Sequence, residues 1–286
     1  MPSADLLIGG LRLRLEGGAG VAAALTLPGM NVFADDPGAA PHVTLCLDER
    51  LQRPPCRLLH SFDILDGREV CRFGVDAEGV YHYTFGQREV VRFDPKCPDA
   101  ALLSPLPDPS SMRFALWLAY SMTALGHGRM PVHSSVVACD GRAVMCLGES
   151  GTGKSTHTRL WLQHIPSTHL VNDDSPILAV EDDGGVAVYG SPWSGKTDCY
   201  RQERLPLAAL LRLEQRPSNT IRRLSTLEAF GALQPSCPPA MAHDEPCLDR
   251  MVALISQIIQ QVPVYRLGCL PDADAAHLSH STIYGS

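Results

Sequence analysis

Eight consecutive residues constrain this chain more than any others. Gly148-Glu149-Ser150-Gly151-Thr152-Gly153-Lys154-Ser155 fits the pattern G-x-x-x-x-G-K-[ST]. The apolar run Ala143–Leu147 precedes it, and helix-competent residues follow from Ser155 to His164. A strand that turns through glycines into a helix aims successive backbone N–H groups at one point. That concavity suits phosphate oxygens. In such a loop Ser150, Gly151, Thr152, Gly153, Lys154, Ser155 and Thr156 surround the phosphates. Lys154 reaches the terminal ones as a cation, and the Ser155 hydroxyl can ligate Mg²⁺. The expected ligands are therefore ATP or GTP, with Mg²⁺.

Composition removes several alternatives. The chain has 286 residues, 45% hydrophobic and 19% charged, which is enough apolar side chain for a real core. Its formal net charge of −7 argues against a nucleic-acid partner, because neutralising a phosphate backbone needs clustered Lys and Arg. The longest basic run is Arg222-Arg223. Ten cysteines occur without a C-x-x-C pair, and most sit in apolar runs, which reads as reduced core thiols in a cytoplasmic protein. An early acid, Asp5, and the lack of a sustained apolar stretch near it argue against a signal peptide. The apolar stretch Phe114–Leu125 is too short to span a bilayer, so no membrane partner is expected.

Two halves are expected. Residues 1–105 read as a small β-rich N-terminal domain, with strand runs at His42–Leu47, Glu69–Phe73, Val80–Phe85 and Glu89–Phe93. Pro98 to Pro109 reads as a Pro-rich linker. Residues 106–286 open with a helix from Ser110 to Leu125 and then alternate strands and helices, which makes the fold class α/β. Asp140-Gly141, between Val132–Cys139 and Arg142–Leu147, is a hairpin signal. Ser225-Thr226-Leu227-Glu228 is a capping box that opens a later helix.

Further residues join the glycine loop. Asn172-Asp173-Asp174 ends an apolar stretch about twenty residues after Lys154, where a phosphate-loop enzyme needs acids for Mg²⁺ and for the nucleophile. Two adjacent acids could divide those roles. Gly190-Ser191-Pro192-Trp193-Ser194-Gly195-Lys196-Thr197 satisfies the loop pattern a second time. Pro192 has no N–H to offer, and Trp193 is bulky where a backbone would approach phosphate. This stretch therefore reads either as a turn or as a segment lending Lys196 to the site. His133 opens the strand run before the hairpin, with no other signal of its own.

With these residues in hand, the chain resembles the HPr kinase/phosphorylase and phosphoenolpyruvate carboxykinase-like superfamily. The carriers are Val132-His133-Ser134-Ser135-Val136-Val137 with Asp140-Gly141, the loop Gly148 to Ser155, and Leu170-Val171-Asn172-Asp173-Asp174. The stretch from Tyr189 to Thr197, with Ile221-Arg222-Arg223-Leu224-Ser225, is similar to a bacterial branch related to HPr kinases. The resemblance implies a P-loop core with a mixed sheet and a kinase that moves the γ-phosphoryl group of ATP to a hydroxyl. The acceptor would be a small molecule or a Ser in a peptide or protein. By position it implies Asp173 as the base, with His133 close to it, and Ser155 with Asp174 on Mg²⁺. It also implies Lys196 and Arg201 as cations on the transferred group, a role for Arg222 or Arg223 toward phosphate, and assembly into homo-oligomers. A signature for binding HPr and a set for oxaloacetate with Mn²⁺ are not found here. The other readings are a nucleotide-binding regulatory module without turnover and a carboxykinase-type lyase.

Overall fold

The computed structural model describes residues 2–36, 38–195 and 197–285. The fold is mixed α/β, with two large mixed sheets. The chain forms two compact units, Met1–Arg129 with Ala240–Arg250, and Met130–Pro239 with Met251–Ser286.

The first unit carries β1 (Ser3–Ile8), β2 (Leu11–Glu16), a short α1 (Gly20–Leu25), β3 (Ala34–Asp35), β4 (Val43–Leu47), β5 (Arg57–Ile64), β6 (Glu69–Val75), β7 (Tyr81–Phe85), β8 (Arg88–Phe93), β9 (Ala100–Leu103) and α2 (Pro109–Leu125). Its strands form one nine-stranded sheet in the order β3-β1-β2-β4-β9-β8-β7-β6-β5. In β2 the alternation is plain: Leu11, Leu13 and Leu15 are buried while Arg12, Arg14 and Glu16 are half-exposed.

The expected linker at Pro98–Pro109 is corrected here. Ala100–Leu103 is a central strand, parallel to β4 on one side and antiparallel to β8 on the other. The prolines of this stretch, Pro98, Pro105, Pro107 and Pro109, all fall outside it, so no ladder hydrogen bond is lost. Helix α2 follows. The Asp108 side chain caps it by accepting from the Ser111 N–H at 2.8 Å, and Pro109 stands at the first helical position. This helix packs on β8 and β9, so it belongs to the first unit, whereas the sequence placed it at the head of the second half.

The second unit contains β10 (Arg129–Pro131), β11 (Ser134–Cys139), β12 (Arg142–Leu147), α3 (Lys154–His164), β13 (Thr168–Asp174), β14 (Ile177–Val180), β15 (Val186–Tyr189), β16 (Arg204–Gln215), β17 (Thr220–Arg223) and α4 (Thr226–Leu233). Helix α5 (Glu245–Gln261) runs into it, and β18 (Val264–Cys269) and α6 (Ala273–Tyr284) close the chain. The sheet order is β10-β14-β15-β16-β12-β11-β13, with β18 beside β16 and β17 beside β18. The expected hairpin is present. β11 and β12 pair antiparallel from Ser134↔Leu147 to Cys139↔Arg142, and Asp140 and Gly141 have φ of 49° and 73°, as a tight two-residue hairpin requires.

β12 and β16 run parallel, as do β16 and β18. Such strands are covered on both faces, which explains the unbroken apolar run Ala143–Leu147. One face packs Val137, Val144 and Cys146 with Trp161, Leu211, Leu213, Leu267 and Ala276. Trp161 is fully buried, and its indole N–H is satisfied by Ser279 Oγ at 3.0 Å. This packing fixes α3 against the hairpin, and with it the loop that joins them.

Candidate functional site

The glycine loop leaves the carboxyl end of β12. Gly153 has a φ of 105°, a conformation that L side chains rarely adopt, and it is the residue from which α3 starts. The first N–H groups of a helix have no partner within it, and they form the positive end of its dipole. Neighbouring strands brace the loop. Arg212 Nη2 donates to Glu149 Oε1 at 2.8 Å, Gln215 Nε2 to the Gly151 carbonyl at 3.2 Å, and Thr152 Oγ1 to the Glu149 carbonyl at 2.7 Å. Ser150 and Gly151 are exposed at its tip, and Thr152, Ser155 and Thr156 are half-buried.

Lys154 points back under the loop. Its Nζ donates to the Gly148 carbonyl at 2.9 Å and the Glu149 carbonyl at 3.3 Å, and it meets His133 Nε2 at 2.8 Å. An ammonium has only donors, so Nε2 accepts and the ring proton sits on Nδ1. That Nδ1 faces Asp174 Oδ1 at 3.3 Å. Lys154, His133 and Asp174 thus form one relay. Burial lowers the Lys154 pKa, and the carboxylates of Asp174, Asp173 and Glu149 oppose the shift. His133 lies just before β11, not within it, and its N–H donates to the Ser236 carbonyl at 2.7 Å.

β13 supplies both acids, with Ser134 opposite Asp174 and Ser135 opposite Asp173. Their environments differ. Asp173 is buried and accepts from Ser155 Oγ at 2.8 Å. The Asp174 side chain is 44% exposed, and its φ of 145° lies where non-glycine residues are strained. Strain of this kind persists only where the surroundings hold it.

The surroundings are the second loop-like stretch. Among the described residues no helix follows it, and the next element is β16, which begins at Arg204. Instead, the segment clamps the acids. Gly195 N–H donates to the Asp173 carbonyl at 2.7 Å, and Ser194 bridges Asp174 in strand fashion. Asn172, fully buried, donates from Nδ2 toward Ser191 Oγ and the Trp193 carbonyl, both at 3.3 Å. At Gly190 an added Cβ would stand 2.0 Å from the Arg201 carbonyl oxygen, so only glycine fits. Asn172 and Ser191 were missed from sequence; an Asn beside an acid pair is the one signal that pointed to them.

The site therefore unites His133, Lys154, Ser155, Asp173 and Asp174. Lys196 lies outside the described residues. Arg201 is exposed, and its guanidinium neighbours the Cys199 thiol. Arg222 forms a two-pronged pair with Glu228 at 2.6 and 3.1 Å, and Glu228 also closes the capping box on Ser225. That gives Arg222 a structural partner.

No protein-family model matches the chain, and no curated protein matches it in sequence. Among solved structures, the HPr(Ser) kinase/phosphatase from Coxiella burnetii is similar at 14% identity and a TM-score of 0.31. The match covers 54% of this chain and 94% of that one. A likeness at that level carries no activity from one protein to the other.

Proposed function

We propose that this protein is a phosphotransferase. It would take ATP (or GTP) with Mg²⁺ in the glycine loop and move the γ-phosphoryl group to a hydroxyl. The acceptor would be a small molecule or a Ser side chain of a peptide or protein. The observation that carries this reading is the hydrogen-bonded meeting of Lys154 and Ser155 with Asp173, His133 and Asp174. Phosphoryl transfer is mostly positioning and charge stabilisation, so a phosphate cradle, a cation, a metal and one base suffice.

Ser155 Oγ and the Asp173 carboxylate are hard oxygen donors 2.8 Å apart at the start of α3, a set that fits Mg²⁺. A bound Mg²⁺ would neutralise charge on the β- and γ-oxygens. Asp174, half-exposed and steadied by His133 Nδ1–H, is then the carboxylate free to accept the hydroxyl proton. This division exchanges the two roles implied by the family resemblance, and it rests on the Ser155–Asp173 bond and on exposure. Lys154 holds the terminal phosphates, and its contact with His133 ties the phosphate cradle to the base. Lys196 and Arg201 are proposed, from sequence alone, as further cations for the transferred group.

The test is transfer of labelled γ-phosphate from ATP to hydroxyl-bearing small molecules and Ser-containing peptides. Asp174→Asn should bind Mg·ATP normally and lose transfer by about 10²–10⁴-fold. Asp173→Asn should instead weaken the Mg²⁺-dependent part of ATP binding. Full transfer by Asp174→Asn would sink the base assignment. Tight ATP binding with no acceptor would favour the regulatory module, and nucleotide-dependent CO₂ release from oxaloacetate would favour the lyase.

A further inference from the structure

At the opposite end of β11 from the glycine loop, three different side chains converge. Cys139 ends β11, Asp140 occupies the hairpin turn, and His280 lies on α6. Their donor atoms all lie within 4.8 Å of one another. We propose that Cys139, Asp140 and His280 form a zinc site that ties the last helix to the tip of the β11–β12 hairpin.

The separation of the thiol and the imidazole suits a single ion. Cys139 Sγ and His280 Nε2 are 3.8 Å apart. Zinc–sulfur and zinc–nitrogen bonds of about 2.3 and 2.0 Å, set at a tetrahedral angle, separate the two ligand atoms by roughly 3.5 Å. A small side-chain rotation closes the difference. A thiolate, an imidazole and one carboxylate form the borderline-soft set that selects zinc over Mg²⁺ or Ca²⁺. Three protein ligands leave the fourth position to water.

Each ligand is held before any ion arrives. Cys139 is fixed between Arg142 on β12 and Thr168 on β13. The tight turn fixes Asp140. The His280 ring stacks on Tyr284 at 5.2 Å and 15°, and meets Trp161 edge-on at 5.5 Å. Tyr284 in turn donates to the Arg142 carbonyl at 3.1 Å. These two ring contacts hold the imidazole in place.

On binding, the thiol proton leaves to solvent as the sulfur–metal bond forms, and the ion then offsets both negative ligands. The role is structural. β11 is six residues long, which puts the cluster about 20 Å from the glycine loop.

The test is titration of the chelator-treated full chain with Co²⁺. One equivalent should produce a near-ultraviolet thiolate charge-transfer band and strong visible bands of tetrahedral Co²⁺, and Zn²⁺ should displace it. Cys139→Ser should abolish the charge-transfer band. His280→Gln should weaken binding by about 100-fold. Asp140→Asn keeps the turn chemistry and should weaken binding by about 10-fold. Zn²⁺ should raise the Tm of the wild type and leave that of His280→Gln unchanged. Lys154→Ala should keep the full spectrum, because the nucleotide loop is not involved. No charge-transfer band in the wild type would overturn the proposal. So would a band that survives in Cys139→Ser, or one unchanged by both His280→Gln and Asp140→Asn.

Discussion

His82 in the first unit bridges two carboxylates, whereas His133 in the second bridges a cation and a carboxylate, and their surroundings differ as well. His82 is 1% exposed; its Nδ1 meets Glu89 Oε1 at 2.6 Å and its Nε2 meets Asp76 Oδ2 at 3.1 Å. Glu89 is also buried and takes two bonds from Arg92, while Asp76 accepts the N–H groups of Glu78 and Val80. The network is closed, and both ring nitrogens are committed to carboxylates. His133 is 48% exposed, as is Asp174 to a similar degree, and the pair lies beside a helix N-terminus. A closed cluster of charges stabilises; an open one beside a glycine loop and a helix N-terminus is free to meet a ligand. The lesson is that a buried charge cluster alone does not identify a site. Openness toward a second chemical feature does.

The largest effect expected from this contrast is on folding. His82→Leu leaves Glu89 buried with Arg92 alone, so it should destabilise by about 3–5 kcal/mol in denaturant unfolding. The affinity for Mg·ATP of the variant that remains folded should match the wild type. Loss of ATP binding in a folded His82→Leu protein would break the contrast.

Gly190→Ala probes the clamp on the open cluster. A Cβ there collides with the Arg201 carbonyl, so stability should fall by about 1–3 kcal/mol. Because the clamped segment holds Asp173 and Asp174, phosphoryl transfer should fall more than ATP binding does. Equal losses in both would show that the clamp has no special hold on the acids.

The smallest effect is on pH dependence. Burial disfavours the His82 imidazolium, but the hydrogen bonds it donates to Glu89 and Asp76 outweigh that, and its pKa is raised above 6.5. The folded state thus binds this proton more tightly than the unfolded state does. The resulting stabilisation is complete below pH 6.5 and is lost as pH rises through the folded value. Chemical denaturation from pH 6 upward should show this decline in the wild type and a flatter profile in His82→Leu. A wild-type profile that rises over that range would contradict the closed network.

Much of the second unit was legible in the sequence because its signals are local. The glycine loop, the Asp-Gly hairpin, the capping box at Ser225 and the strand carrying Asp173 each announce themselves within a few residues. What stayed hidden depends on contacts across the chain. β9 is four residues long and stands among prolines, so it reads as linker until its neighbours β4 and β8 are known. The Lys154–His133 contact joins residues from two elements that the sequence only orders. The division between Asp173 and Asp174 turns on exposure, which two identical side chains in adjacent positions cannot reveal. The Gly190 stretch matches a phosphate loop in pattern, and only its packing on the Asp173 backbone shows another use.

The measurement that tests the central claim most directly is calorimetric titration of Mg·ATP into the wild type and into Lys154→Ala, with circular dichroism confirming that both are folded. The wild type should bind one equivalent, and the variant should bind at least about 100-fold more weakly, the expected loss for removing a buried cation from a phosphate site. Equal affinity in the two proteins, or no binding by the wild type, would contradict the account.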